Sequence, residues 1–248
     1  MIVAASTSCV MNMPLQEILD RLADLEYTNV ELVIGEQPPI PISELVAQYD
    51  SIVHTCRISR RITPVAIYFE PDPTTPNYLE LFTAACQFAK AVKVVVITVR
   101  ASIPGTPFNE EYERLRQLVH IAMTHGVVVG IQTEIGRMTE MPDTVESLCK
   151  SIKGLGVTLD PSHYIFNQPK PKEYESILSY VCHVRLRDTT PTQFQIRIGQ
   201  GVLEFGRLVI QLNKADYHRA LCVDLAPIPD VDPMAELRKM RLLLESLL

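Results

Sequence analysis

The chain has 248 residues, with 23 lysines and arginines against 29 aspartates and glutamates, so its formal net charge is −6. Apolar residues make up 47% and charged residues 21%, the proportions of an ordinary globular protein that can bury a full core. The acidic balance argues against nucleic acid as a partner, because nucleic-acid-binding proteins usually present a basic face. The densest apolar stretch, 92–99, is far shorter than the ~20 residues of a membrane-spanning helix, so we expect no membrane partner.

Cysteine usage points to a reducing compartment. The six cysteines are scattered without a C-x-x-C pair, and residues 1–10 lack the positive charge of a secretion signal. We therefore expect a cytoplasmic protein with six reduced thiols and no disulfide.

The chain alternates apolar runs with amphipathic stretches. Eight apolar runs predict strands, at residues 2–6, 30–34, 65–69, 92–99, 127–134, 157–160, 181–187 and 220–225. Apolar residues at helical spacing follow each run and predict helices at residues 15–25, 42–49, 78–90, 110–125, 144–152, 174–180, 205–213 and 234–248. Apolar strands that alternate with helices indicate a parallel sheet covered by helices.

The number of units selects the architecture. Eight strand–helix units in about 250 residues match a (β/α)₈ TIM barrel, formed as one domain over residues 1–248. A doubly wound open sheet is less favoured, because no strand–turn–helix carries a G-x-G-x-x-G motif and the chain has only 10 glycines.

Three acids end three of the last four predicted strands. In TIM barrels the active site lies at the carboxyl ends of the strands. Glu134, Asp160 and Asp224 end strands five, six and eight, so we expect them to point into the barrel mouth. Three converging carboxylates repel one another and need a cation, which could be a divalent metal (Mn, Mg or Zn) or Arg185.

Strand seven and the loop after it are rich in arginine. Alternation along a strand places His183, Arg185 and Arg187 on one face. The loops after strands seven and eight are the usual phosphate site of the barrel, and arginine with backbone amides suits an anion. The predicted substrate-binding residues are Arg185, Arg187, Arg197, Gly199 and Gly201.

The same segments carry a family resemblance. Residues 156–163 (Gly-Val-Thr-Leu-Asp-Pro-Ser-His) and 183–188 (His-Val-Arg-Leu-Arg-Asp) resemble the strand-six and strand-seven motifs of the xylose-isomerase-like barrels. The Gly-Gln-Gly of 199–201 and the first two strands (4–7 and 29–32) are also similar. That superfamily comprises sugar-phosphate isomerases and epimerases together with abasic-site endonucleases. The resemblance spans essentially the whole chain and implies the same barrel.

The resemblance also implies a metal position that this chain alters. In the family a Glu, an Asp, a His and a Glu on strands five to eight hold a divalent metal; these positions fall on Glu134, Asp160, Arg185 and Asp224. A guanidinium group only donates hydrogen bonds and cannot replace the histidine ligand. Asp224 reaches less far than a glutamate by one methylene. We therefore expect weak or absent metal binding, with Arg185 in place of the metal charge.

The chemistry implied by the family is proton transfer at a carbon next to a carbonyl. A sugar or sugar-phosphate isomerase or epimerase would use Glu134 and Asp224 as base and acid, with His163 orienting a hydroxyl group. The alternative is a non-catalytic barrel that binds a sugar-like or anionic ligand. An abasic-site endonuclease is less favoured, because too few metal ligands are present and the charge of −6 opposes DNA. A homo-oligomer is compatible with the sequence.

Overall fold

The computed structural model describes residues 1–10, 13–37, 39–59 and 61–248. Eight parallel strands form one closed sheet, in which the first strand pairs with both the second and the eighth. The strands are β1 Ile2–Ser6, β2 Asn29–Gly35, β3 Thr63–Phe69, β4 Val96–Val99, β5 Val128–Gln132, β6 Leu155–Leu159, β7 Val181–Leu186 and β8 Ala220–Val223. A two-residue strand, Ile40–Pro41, pairs with the end of β2. The predicted (β/α)₈ barrel is confirmed.

Helices surround the sheet and lay apolar stripes on it. In α1, for example, Ile18, Leu19 and Leu22 are buried, which is the spacing of one helical face. The α-helices are α1 Leu15–Asp24, α2 Ile42–Ala47, α3 Tyr49–Ile58, α4 Tyr78–Ala91, α5 Phe108–Thr124, α6 Pro142–Ser151, α7 Phe205–Lys214 and α8 Pro233–Glu245. Shorter 3₁₀ turns lie at Thr7–Cys9, Met138–Glu140, Pro161–Tyr164 and Glu175–Tyr180.

Three predicted elements differ from the structure. The run 92–99 becomes a strand only from Val96, because Lys93 has a φ of 62° and forms the turn out of α4. The predicted helix 42–49 ends at Ala47, and a second helix, α3, begins at Tyr49. The predicted helix 174–180 is a 3₁₀ helix. In the first two cases apolar spacing continues across a break in backbone conformation, so it could not mark the break.

The inside of the barrel has an apolar floor and a charged mouth. Ala4, Ala220 and Cys222 form a small buried cluster with Val65 at the amino ends of the strands. His183, Arg185 and Arg187 are buried farther along, towards the carboxyl ends. A barrel of this kind is filled by side chains rather than open, so the charged groups must pair inside it.

All six cysteines are buried free thiols, which agrees with the prediction of no disulfide. Across the described ranges, no helix combines the length and the apolar character that a membrane crossing requires.

Candidate active site

Two arginines and two aspartates meet at the carboxyl ends of β6, β7 and β8. Arg185 Nη2 lies 3.1 Å from Asp224 Oδ2. Arg187 Nη2 lies 3.1 Å from Asp160 Oδ2 and also binds Asp224 Oδ2. Each aspartate directly follows its strand, so the end of the sheet brings together groups that lie far apart in the sequence. The structure thus assembles Asp160, Arg185, Arg187 and Asp224 in the mouth.

A third carboxylate, Glu31, supports this group from β2. Its Oε1 lies 3.2 Å from Arg185 Nε, and its Oε2 lies 2.8 Å from His183 Nε2. Glu31 is fully buried. Glu31 is not among the predicted site residues, although an acid inside the apolar run of β2 is a signal that it needs a buried partner. We call Glu31, Asp160, Arg185, Arg187 and Asp224 the arginine network.

Aromatic and amide groups hold the two guanidinium groups in place. The Arg185 guanidinium lies 4.1 Å from the centre of the Tyr68 ring, and that of Arg187 lies 4.6 Å from the centre of the Phe194 ring. Gln132 Oε1 lies 3.5 Å from Arg185 Nη1. Stacking on a ring face favours a cation, so both arginines are oriented as well as neutralised.

The charges in the arginine network stabilise one another. Burial acts to raise the pKa of Asp224, but Arg185, Arg187 and a hydrogen bond from Ser8 lower it to about 2. Burial also acts to raise the pKa of Glu31, but Arg185 and His183 have the larger combined effect and lower this pKa. Burial disfavours the charge on Arg185, yet Asp224 and Glu31 raise its pKa well above the usual value. Glu31 and Asp224 are therefore ionised beside the cationic Arg185 at neutral pH.

His163 stands beside Asp160 at the edge of the network. Its Nδ1 accepts a hydrogen bond from the amide of Ile135 at 3.2 Å, and its Nε2 lies 3.7 Å from Asp160 Oδ2. Burial lowers the pKa of His163, and Asp160 offsets this only in part. The imidazole is therefore neutral at pH 7 with its hydrogen on Nε2, and it can donate that hydrogen into the mouth.

Glu134 takes a different position from the other two predicted acids. Its Oε2 accepts a hydrogen bond from Arg100 Nε at 3.1 Å, Oε1 binds Arg100 Nη2, and Arg137 Nε lies 4.0 Å away. Its side chain is 14% exposed, whereas that of Asp160 is fully buried. The structure thus keeps Glu134 at the rim, paired with Arg100, while the buried end of β5 presents Gln132 to the network.

The amides of the predicted anion-binding loop are hydrogen-bonded within the loop itself. The amides of Gly199 and Gly201 donate to Asp188 Oδ2 at 2.7 and 3.0 Å. A Cβ atom at Gly201 would collide with the same carboxylate, so this close approach requires glycine. Arg197 is exposed, and its side chain has no ion pair within the described residues. The structure therefore separates Arg197, Gly199 and Gly201 from Arg185 and Arg187, which belong to the network.

The same loop folds over the mouth. The Phe194 ring packs 4.7 Å from His163 and also covers Arg187. Gln195 and Ala226 exchange hydrogen bonds of 2.6 and 2.8 Å, which tie this loop to the segment after β8. The loop thus shields the guanidinium of Arg187 from solvent.

The donor set in the mouth does not fit the divalent metal that the resemblance implies. Arg187 already contacts both Asp160 and Asp224, and Arg100 holds Glu134. A cation placed among these carboxylates would meet a guanidinium group within contact distance and be repelled.

Deeper in the barrel, Glu31, His183 and Cys222 are the three described residues that could share a metal, with one ligand atom each within 4.8 Å of the others. Burial raises the pKa of the Cys222 thiol well above its usual value, and Arg185 lies against Glu31, so this cluster also disfavours a cation.

Comparisons with known proteins agree with this architecture. The 3-keto-D-glucoside 4-epimerase from E. coli superposes with a TM-score of 0.79, at 14% identity and over 99% of both chains. The D-psicose 3-epimerase from Clostridium cellulolyticum H10 gives a TM-score of 0.78, at 12% identity, over 100% of this chain and 99% of that one. The IOLI protein, solved with a zinc atom, gives 0.76 at 13% identity, over 100% of this chain and 98% of that one. A search of curated proteins by sequence gives no match.

The pattern of the family described as "Xylose isomerase-like TIM barrel" matches residues 19–245, which is most of the chain. With the closed barrel and the carboxylates and arginines at its mouth, this match establishes that the chain belongs to the xylose isomerase-like TIM barrel family.

Proposed function

We propose that this protein is a metal-independent isomerase of sugars or sugar phosphates, which moves a proton between carbons next to a carbonyl group. The observation that carries this proposal is the pair of buried guanidinium groups, Arg185 and Arg187, at the carboxyl end of the barrel. The sugar-epimerase names of two structural neighbours support a sugar-like substrate. The six free thiols support a cytoplasmic location.

The first role belongs to the arginine network, which stabilises the oxyanion. Removal of a proton beside a carbonyl leaves negative charge on the carbonyl oxygen, and fixed donors lower the energy of that state most. Glu31, Asp160 and Asp224 hold the two guanidinium groups before substrate arrives. His163 adds its Nε2 hydrogen for a hydroxyl or carbonyl oxygen of the substrate.

The second role belongs to Glu134, the acid nearest to solvent. Glu134 accepts the carbon-bound proton, the electron pair of that bond forms the enediolate double bond, and the carbonyl pair moves to oxygen. The proton then returns to the neighbouring carbon, while a hydroxyl hydrogen passes between the two adjacent oxygens beside His163. Asp224, with a pKa of about 2, holds no proton at neutral pH and acts as a positioning group for the arginines. One carboxylate that serves both transfers favours isomerisation over epimerisation.

Arg197 is the residue available to bind a substrate phosphate. It is exposed on the loop that also covers the mouth, whereas the amides of Gly199 and Gly201 bind Asp188. Arg197→Ala is therefore expected to weaken the binding of phosphorylated substrates and to leave the binding of unphosphorylated ones nearly unchanged.

Deuterium exchange tests the proposal. The protein is incubated in D₂O with a panel of aldoses, ketoses and their phosphates, and proton NMR follows loss of the signal next to the carbonyl. An active substrate should exchange, and Glu134→Gln should slow this by ~10²–10⁴-fold, the usual effect of a positioned acid–base group. Glu113→Gln, which alters an exposed glutamate paired with Arg116, is the matched control and should exchange at the native rate. Native exchange in Glu134→Gln would contradict the role of Glu134.

A second candidate is a non-catalytic sugar-binding barrel. It is favoured by the mutual pairing of Arg187 with Asp160 and Asp224 beneath Phe194, since this closed arrangement is stable without a substrate. In that case one member of the panel raises the melting temperature, and no member exchanges.

A further inference from the structure

A cavity lies at the opposite end of the barrel from the arginine network. It has a volume of about 340 Å³ and opens among the amino ends of the strands. Ile2 of β1, Val65 of β3 and Ala220 of β8 contribute to its wall. Cavities of ~300 Å³ or more are large enough for a small ligand.

The chemistry of this floor cavity differs from that of the mouth. Most of its wall is apolar. Among the residues that the structure describes, the charged ones on the wall are the two cations Lys93 and Arg219, and none is an aspartate or glutamate. This is notable in a chain of net charge −6. Two apolar residues of the wall, Ile2 and Val95, are 41% and 50% exposed, so apolar surface stands open beside the cations. An apolar recess with uncompensated positive charge at its edge matches an amphipathic anion.

We propose that the floor cavity is a second binding site, for a small carboxylate with an apolar body. The carboxylate pairs with Lys93 and Arg219, and the apolar body covers Ile2, Val65 and Val95. The inference rests on no step of the isomerase proposal, because these residues take no part in the mouth.

One wall residue connects this cavity to the active site. His183 lines the floor cavity, and its Nε2 lies 2.8 Å from Glu31 Oε2. Glu31 Oε1 in turn lies 3.2 Å from Arg185 Nε. In this proposal the effect of a bound ligand passes through His183 to the carboxylate of Glu31, which contacts both His183 and Arg185. The floor site is thereby a place from which a metabolite could adjust the arginine network.

Binding of hexanoate, a short aliphatic carboxylate, tests the site. We expect isothermal titration calorimetry to show hexanoate binding, and hexanol, which has the same apolar body without the charge, to bind more weakly. The double variant Lys93→Ala/Arg219→Ala should lose about tenfold in affinity, the expected loss for two solvent-exposed ion pairs. Lys214→Ala/Arg238→Ala removes two exposed cations that do not line the cavity and should bind as the native protein does.

Three results would overturn the proposal: no hexanoate binding up to its solubility, equal binding of hexanol, or unchanged affinity in the Lys93/Arg219 double variant. NMR tests the connection separately. Hexanoate should shift the ring signals of His183 and the Nε–H signal of Arg185, and should shift neither in the double variant. Binding that leaves both signals in place would overturn the link to the network. None of these measurements uses a sugar, so their failure is distinguishable from failure of the isomerase proposal.

Discussion

The two ends of this barrel differ in whether their cationic side chains have carboxylate partners. At the mouth, Glu31, Asp160 and Asp224 surround two arginines, and the whole group is buried. At the floor, Lys93 and Arg219 lie beside apolar residues, and no acid is found among the described residues of the cavity wall. The same strands form both ends, so the difference lies in which side chains stand near their carboxyl ends and which stand near their amino ends.

This difference separates two kinds of site. A buried cation held by carboxylates is oriented before a substrate binds. Removal of one partner strongly destabilises the fold, because it leaves an unpaired buried charge. An exposed cation without a carboxylate partner contributes little to the stability of the fold, and it can bind an anion from solution. Variants at the mouth should therefore damage the fold strongly, and variants at the floor should not.

Asp224→Asn should have the largest effect on stability. The change keeps the size of the side chain but leaves Arg185 and Arg187 short of one carboxylate, so the free energy of unfolding should fall by about 3–5 kcal/mol. Urea denaturation measures the loss. The matched control is Asp24→Asn, which breaks an exposed pair with Arg61 and should cost less than about 1 kcal/mol. If Asp224→Asn proves insoluble, Ser8→Ala removes a hydroxyl that lies 2.8 Å from both Asp224 Oδ1 and Ser6 Oγ, and it should cost about 1 kcal/mol. Equal losses in Asp224→Asn and Asp24→Asn would contradict the contrast.

The acid limb of the stability curve should depend on the same carboxylate. The pKa of Asp224 is about 2 when folded and ~4 when unfolded, so its contribution is full above pH ~4 and is lost as the pH falls towards 2. This share amounts to roughly 2 kcal/mol, and other buried acids add their own. The informative quantity is therefore the loss of folding stability between pH ~4 and 2, which should be smaller in Asp224→Asn than in the native protein.

Asp72 provides the comparison for that measurement. Burial acts to raise the pKa of Asp72, but the amide and hydroxyl of Thr74 and the guanidinium of Arg137 lower it to about 2. This carboxylate is 34% exposed, so solvent screens these interactions. Asp72→Asn should therefore alter the acid limb much less than Asp224→Asn. An unchanged acid limb in Asp224→Asn would show that the network contributes nothing to acid stability.

Restoring a metal ligand at the mouth should increase its affinity for a divalent metal. Arg185→His removes the guanidinium group and supplies an imidazole, so the affinity for Zn²⁺ or Mn²⁺ should rise by about tenfold or more. Arg185→Gln, which removes the charge without adding a ligand, separates the two causes. Isothermal titration calorimetry of chelator-treated protein measures both variants. Tight stoichiometric binding by the native protein would contradict the metal-independent proposal.

The sequence predicted the barrel and much of the mouth for one physical reason. Asp160 and Asp224 follow apolar runs directly, and Arg185 lies within one, so the alternation of a strand places them without further information. Glu31 was not assigned because its partners, His183 and Arg185, lie about 150 residues away and meet it only when the sheet closes.

The loops gave less information. The pairing of Glu134 with Arg100 depends on how two rim segments approach each other, which no spacing encodes. The capture of Gly199 and Gly201 by Asp188 depends on side-chain-to-backbone hydrogen bonds within one long loop. An anion site inferred from glycines and arginines alone could not anticipate that an aspartate of the same loop binds the amides.

The smallest expected effect has the opposite sign and lies at the floor. Lys93 has a φ of 62°, a left-handed conformation that costs a residue with a Cβ about 1 kcal/mol. Lys93→Gly should therefore raise the free energy of unfolding by about 0.5–1 kcal/mol while it weakens hexanoate binding. Asp216→Gly, at a φ of 62° in the turn before β8, relieves the same strain and leaves Lys93 in place, but it also loses an exposed 2.8 Å contact with His218 and should stabilise by less. A gain in stability together with a loss of binding would mean that Lys93 occupies a strained position where its charge, rather than the fold, has a use. A variant that is more stable and still binds hexanoate at native affinity would leave Arg219 as the only cation of the site.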